Sequence, residues 1–177
     1  MTDVSVERTL LKVEADLAEG DTAKARQRLT SLLAAFPERL DVRARLAQVC
    51  RLQGDAVQAG RWGYLAEERH EAEVSAFEKA TQDPVKRMRA LQWPSDPQRA
   101  ATAVARERLG ALLAEGRAQT RDPGLRYDTV ADRTWRPPRT MRDRARDAAG
   151  ATLVVAVLLL FLVGVIEGAV TVVSWLR

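Results

Sequence analysis

Cysteine and histidine are almost missing from this chain: its 177 residues contain one of each, Cys50 and His70. One cysteine excludes an internal disulfide and a multi-cysteine metal site, which suits a reducing compartment. One histidine leaves any Ser-His-Asp arrangement resting on His70. No Gly-x-Ser-x-Gly elbow and no phosphate-binding Gly-rich loop accompanies it. His70 stands among Glu67, Glu68, Glu71 and Glu73, a run that reads as a solvated acidic face rather than a metal site. The expectation is a protein that is not an enzyme, with no catalytic, cofactor-binding or metal-binding residues. Alternating β-branched runs are also absent, which argues against strands. The N-terminus, Met1-Thr-Asp-Val-Ser-Val-Glu-Arg, has no apolar core of the kind a signal peptide needs.

What is present is helix-forming sequence. Stretches rich in Ala, Leu, Arg and Glu are broken by Gly and Pro, and the pattern predicts an all-α fold with helices near 4–19, 22–35, 40–53, 56–68, 71–81, 84–92 and 98–117. In the first, Val6, Leu10, Val13 and Leu17 recur at spacings of three and four, turning one stripe inward. The second repeats this with Ala25, Leu29, Leu32 and Leu33. Asp83-Pro84 is a helix start, with Asp as cap and Pro at the first helical position. Trp93-Pro94-Ser-Asp-Pro97 breaks the chain before the last of these helices.

An internal repeat is the main structural clue. Gly20-Asp21 with Ala25 recurs as Gly54-Asp55 with Ala59, and the offset equals the tetratricopeptide period of about 34 residues. In that motif Gly ends the first helix in a left-handed turn and a small Ala lets the paired helices approach. The first copy continues with Leu29, Leu32 and Pro37; the second places Leu46, Ala47 and Cys50 at first-helix positions. Thr9, Lys12 and Asp16 depart from the large or apolar residues expected there, and Glu71 stands where the closing Pro belongs. The reading is a pair of tetratricopeptide-like antiparallel helical hairpins, against an unrelated antiparallel bundle. Two such units rarely stand alone, so the helices between Glu71 and Gly116 are expected to cap them.

Three regions follow: a helical domain at 1–118, a basic linker at 119–147 and a transmembrane helix at 148–176. The linker is too polar to fold alone. Between Arg133 and Arg146 it holds six arginines, Arg133, Arg136, Arg139, Arg142, Arg144 and Arg146, against Asp143, a net of +5. These either set topology alone or also attract anionic headgroups; without a groove of interleaved aromatics, nucleic acid is not the expected partner. The run Ala148 to Leu176 has Glu167 as its only ionisable side chain, enough apolar length for one crossing and too little for two. With the arginines before it and only Arg177 after it, the positive-inside rule places the N-terminal domain in the cytoplasm.

Within this run Gly164, Gly168 and Thr171 share one helix face, with Glu167 at its edge. Three readings are open for the carboxyl: contact with a helix partner, a shallow position near headgroups, or a transport role. Close backbone approach at the glycines favours the partner, either a second copy or another membrane protein.

The block Gly60-Arg-Trp-Gly-Tyr-Leu-Ala-Glu-Glu, then Glu73-Val-Ser-Ala-Phe77-Glu78, Asp83-Pro84 and Leu91-Gln-Trp93 resembles a small actinobacterial protein family of unknown function. The opening Ser5-Val-Glu-Arg-Thr-Leu and Gly54-Asp55-Ala56 extend the resemblance over about residues 3–116. The resemblance implies a helical fold and no catalytic residues. Its aromatics Trp62, Tyr64, Phe77 and Trp93 are either core or a binding patch, and aromatics at helical spacing usually pack in a core. The functional expectation is a membrane-anchored protein-protein interaction adaptor. A small accessory subunit working through its transmembrane helix is the alternative.

Overall fold

In the computed structural model, which describes residues 3–132, 134 and 135, Gly20 and Gly54 make the same turn one repeat apart. Both take positive φ, +78° and +73°, a conformation that costs a residue with a Cβ. Each turn closes with a bond back across the helix end, Asp21 N to Asp16 O at 2.8 Å and Asp55 N to Cys50 O at 2.9 Å. The aspartate then caps the next helix, Asp21 Oδ1 accepting from Lys24 N at 2.9 Å and Asp55 Oδ1 from Gln58 N at 3.0 Å. The helices so joined are α1 (Asp3–Ala18), α2 (Thr22–Ala35), α3 (Leu40–Leu52) and α4 (Ala56–Gly63). Then come α5 (Glu71–Ala80), α6 (Pro84–Leu91), a 3-10 turn at Pro97–Arg99, α7 (Ala103–Thr120) and α8 (Tyr127–Ala131). The described residues are all-helical and contain no strand.

Each of α1 to α4 packs on the next in chain order, whereas α6 packs on α7 and α8. The interior divides accordingly into two apolar cores. One joins α1 to α4 around Leu29, Val42, Leu46 and Val49; the other joins the end of α4 to α5 through α8 around Phe77, Met88, Trp93 and Leu109. Asp16, a departure from the repeat pattern, lies almost buried in the first layer and holds two cations of α2, Lys24 at 3.0 Å and Arg28 at 2.6 Å. Burial opposes its ionisation, but the bonds and charges of Lys24 and Arg28 outweigh that and hold the carboxyl below the ordinary range.

Two arginines tie the first layer to the second. Arg43 on α3 is 1 % exposed and has no carboxylate partner among the described residues. Its guanidinium donates to Pro37 O at 2.7 and 3.0 Å, to Leu91 O at 2.8 Å and to Gln92 O at 3.2 Å, between the rings of Trp62 and Trp93. Arg61 on α4 donates to Ala90 O at 2.6 Å. Both therefore serve the last carbonyls of α6, where the chain turns away through left-handed Gln92, and a cation at a helix C-terminus is favourably placed. Desolvation, with Arg61 nearby, lowers the Arg43 guanidinium to about 10, so it stays charged at neutral pH.

Three boundaries differ from the sequence expectation. Helix α4 ends at Gly63 rather than 68 because Tyr64 and Leu65 turn into the second core and Arg108 takes the following carbonyls of Tyr64, Ala66 and Glu67. Helix α7 begins at Ala103, not 98: Asp96 caps a separate turn at Gln98 N, and Thr102 Oγ1 caps the helix at Ala105 N. The folded domain does not stop at 118. Leu125, Tyr127 and Val130 are buried, Tyr127 donates its hydroxyl to Leu109 O at 3.0 Å, and Arg89 and Arg117 bind the carbonyls of Val130 and Leu125. Residues 119–132, 134 and 135 thus belong to the same compact unit as the helices before them. Among the described residues no helix is long and apolar enough to cross a membrane. The transmembrane helix expected at 148–176 lies outside them.

Candidate interaction surface

Helices α3, α4 and the start of α5 enclose a cleft of about 150 Å³. Its floor is made of small residues, among them Ala47, Ala59, Gly60 and Gly63; its rim carries Gln48, Arg51, Glu68, Arg69, His70 and Glu73. The floor is low because α4 and α5 approach each other closely: a Cβ on Gly60 would lie 2.0 Å from the carbonyl oxygen of Glu73. Across the cleft Arg51 grips Glu73 with two bonds, 2.5 and 2.8 Å, and that bond keeps the Glu73 carboxyl below its usual range and the Arg51 guanidinium above its own. Ala44 is exposed at the α3 edge. An indentation of this shape accepts a side chain or a short backbone stretch, and its rim offers amide, guanidinium and carboxylate groups for hydrogen bonds.

The acidic run around His70 resolves into separate contacts. Glu73 is held by Arg51 and Glu71 by Arg69, at 2.7 Å. Among the described residues no group of His, Cys, Asp and Glu is placed to hold a metal. Cys50 is buried on the core face of α3, and desolvation raises its thiol pKa. Trp62, Tyr64, Phe77 and Trp93 are all buried, so the motif aromatics form core and not a surface patch. Tyr64 and Phe77 meet edge to face at 6.0 Å.

The membrane-proximal arginines Arg133, Arg136, Arg139, Arg142, Arg144 and Arg146 lie outside the described residues, as do Gly164, Glu167, Gly168 and Thr171. What sequence reasoning missed is the work of the other arginines. Arg43, Arg61 and Arg108 serve backbone carbonyls 29 to 49 residues away in sequence. A helix-period reading places an arginine on solvent by default. The only local signal was that Arg43 interrupts the apolar stripe between Val42 and Leu46.

Neither the curated proteins nor the solved structures yield a match to this chain. A family model does, over residues 4–174, a region that takes in both the folded helices and most of the apolar C-terminal run. The chain belongs to that family, DUF6584, a family of unknown function.

Proposed function

We propose that the protein is a membrane-anchored adaptor: a cytoplasmic, tetratricopeptide-like helical domain that holds a segment of another protein, tethered by one C-terminal transmembrane helix. The observation that carries the reading is the pair of matching turns one repeat apart, with Ala25 and Ala59 fully buried where each hairpin closes. Helical-repeat arrays of this period present a concave surface to peptides or protein segments, and the cleft between α3 and α5 supports that reading. Supporting the anchor, the family match includes most of the run Ala148 to Leu176, in which Glu167 is the only ionisable side chain. Anchoring raises the effective concentration of the domain near other membrane proteins.

Arg43 is the counterpart, one repeat on, of Thr9, at the first-helix position where the motif places a large aromatic. Here Trp62 and Trp93 flank the guanidinium, so aromatic bulk at this point comes from α4 and from the chain beyond α6. Truncation after Asp147 followed by co-purification tests the proposal: partners retained by the soluble piece favour the adaptor.

A second reading, an accessory subunit whose transmembrane helix is the working part, rests on Glu167 beside Gly164, Gly168 and Thr171. A carboxyl in hydrocarbon is costly unless protonated or partnered. Under this reading truncation loses the partners. Glu167→Gln and Gly164→Leu then weaken association in a membrane two-hybrid assay; unchanged association in both variants removes it.

A further inference from the structure

The repeat makes the two hairpins comparable residue by residue, and at the open end of the array they differ in kind. Helix α3 buries Val42, Leu46 and Val49. The α1 residues one repeat earlier are Arg8, Lys12 and Ala15, all exposed. Beside them, between α1 and α2, runs a groove of about 670 Å³, larger than the cleft at α3, lined by Ser5 and Thr9 from α1 and by Gln27, Arg28 and Ser31 from α2. It becomes apolar at the Leu32 and Phe36 end. Helix α2 contains Lys24, Arg26 and Arg28 and no acidic residue. Arg26 turns away to Asp55 at 3.6 Å, and the groove itself is lined by Lys24 and Arg28, two cations against the one carboxylate of Asp16.

We propose that this open end is a docking groove for an acidic amphipathic helix of a partner protein, which would continue the stack that α2, α3, α4 and α5 already form. Three features converge on that occupant. Every described helix from α1 to α5 packs on its neighbour in the chain, so a further helix at α1 and α2 repeats an existing interface. The lining changes from the aliphatic residues used between α2 and α3 to cations and hydroxyls, which selects carboxylates. The Leu32 and Phe36 end accommodates an apolar stripe on the same helix. A lipid surface fits less well, because Lys24 and Arg28 are both turned onto Asp16 in ion pairs at 3.0 and 2.6 Å, whereas a bilayer favours cations free to meet headgroups. Its lining shares no residue with the cleft, so its test does not depend on the adaptor reading.

The probe is a short synthetic helical peptide with Leu on one face and Glu elsewhere, labelled for fluorescence anisotropy against the full chain in zwitterionic micelles. Saturable binding is expected, weakened by salt and by about tenfold or more in Gln27→Glu/Ser31→Glu. Among the described residues those two side chains line the groove without making internal bonds, so the variant keeps its helical circular dichroism. Ala44→Arg in the other cleft leaves binding unchanged. Absence of binding, equal binding by a Lys-for-Glu peptide, or indifference to the double variant overturns the proposal. So does displacement of the peptide by phosphatidylserine nanodiscs but not by phosphatidylcholine ones, which assigns the face to lipid. A dimer that dissociates in the double variant overturns it too and assigns the face to a second copy.

Discussion

The two halves of the folded domain are equally helical and are built on different logic. In α1 to α4 each structural device occurs twice at a fixed spacing: left-handed glycine, aspartate cap, buried alanine. In α5 to α8 no such set recurs at the repeat spacing; an aspartate cap with a following proline occurs at Asp83-Pro84 and Asp96-Pro97, without the glycine turn or the buried alanine. The helices there are stopped by Pro, Thr and left-handed Gln92 and Arg121, and their loose ends are held by arginines on backbone carbonyls. A repeat buries its apolar face on a like neighbour. Where the repeat ends that supply stops, and Arg43 and Arg61 carry the junction by gripping the end of α6. The contrast teaches that a high arginine content here is partly internal structure, not only solubility.

The sharpest break in the comparison is at Arg43. Arg43→Met strands the buried carbonyl of Leu91 and unpairs the part-buried carbonyls of Pro37 and Gln92, and the loss expected in urea unfolding is about 3 kcal/mol. Arg43→Lys keeps a charge but cannot span three carbonyls, so it loses about half as much. A loss below about 1 kcal/mol for Arg43→Met would mean that the halves are joined by apolar contact alone.

Gly60 comes next. Gly60→Ala drives a Cβ into the Glu73 carbonyl and is expected to cost about 3 kcal/mol and to disturb the cleft. Gly110 is also helical but has open space around it, so Gly110→Ala is expected to raise stability by about 0.5 to 1 kcal/mol. Thermal melts of the pair give opposite signs if close approach, rather than glycine as such, is what matters.

The caps test whether the repeat is energetic as well as geometric. Asp21→Ala and Asp55→Ala should each cost about 1 kcal/mol, and by similar amounts. A large inequality in denaturant midpoints would show that one turn is merely carried by its surroundings.

The smallest effect near neutrality is that of pH. Asp16, Asp41 and Glu73 all ionise below their usual range in the folded chain: Glu73 through its bond to Arg51, Asp41 through Arg39, and Asp16 through Lys24 and Arg28 against the burial that opposes them. Groups whose folded pKa is depressed contribute stability above their unfolded pKa, and it is lost as pH falls through the folded value. Stability is therefore expected to stay level from neutral pH to about 5 and to fall below about 4. Asp16→Asn should flatten part of that fall.

How much of this was legible in the sequence follows the same division. The bounds of α2 and α3, the cap at Asp83 and the glycine turns could be read, because each depends on residues within one turn of helix. For Trp62, Tyr64, Phe77 and Trp93 helical spacing favoured core over a binding patch without deciding it, and all four are buried. Helix α8 was missed because Leu125, Tyr127 and Val130 are too few to signal a core; they fold because α6 and α7 already supply a wall. The short α4 was missed for a related reason, since Arg108 reaches it from 42 residues away. Of the candidate sites, the cleft at α3 is assembled from three helices and could not be read. Gly164, Glu167 and the membrane-proximal arginines rest on sequence alone.

The central claim is that partners are held by the helical domain while the C-terminal run anchors it. The direct measurement is quantitative mass spectrometry of proteins co-purifying from native membranes with three full-length chains: unaltered, Ala44→Arg and Glu167→Gln. The account predicts that a specific partner is lost in Ala44→Arg, which fills the cleft from an exposed edge, and retained in Glu167→Gln. Retention in Ala44→Arg with loss in Glu167→Gln would contradict it and give the working role to the transmembrane helix.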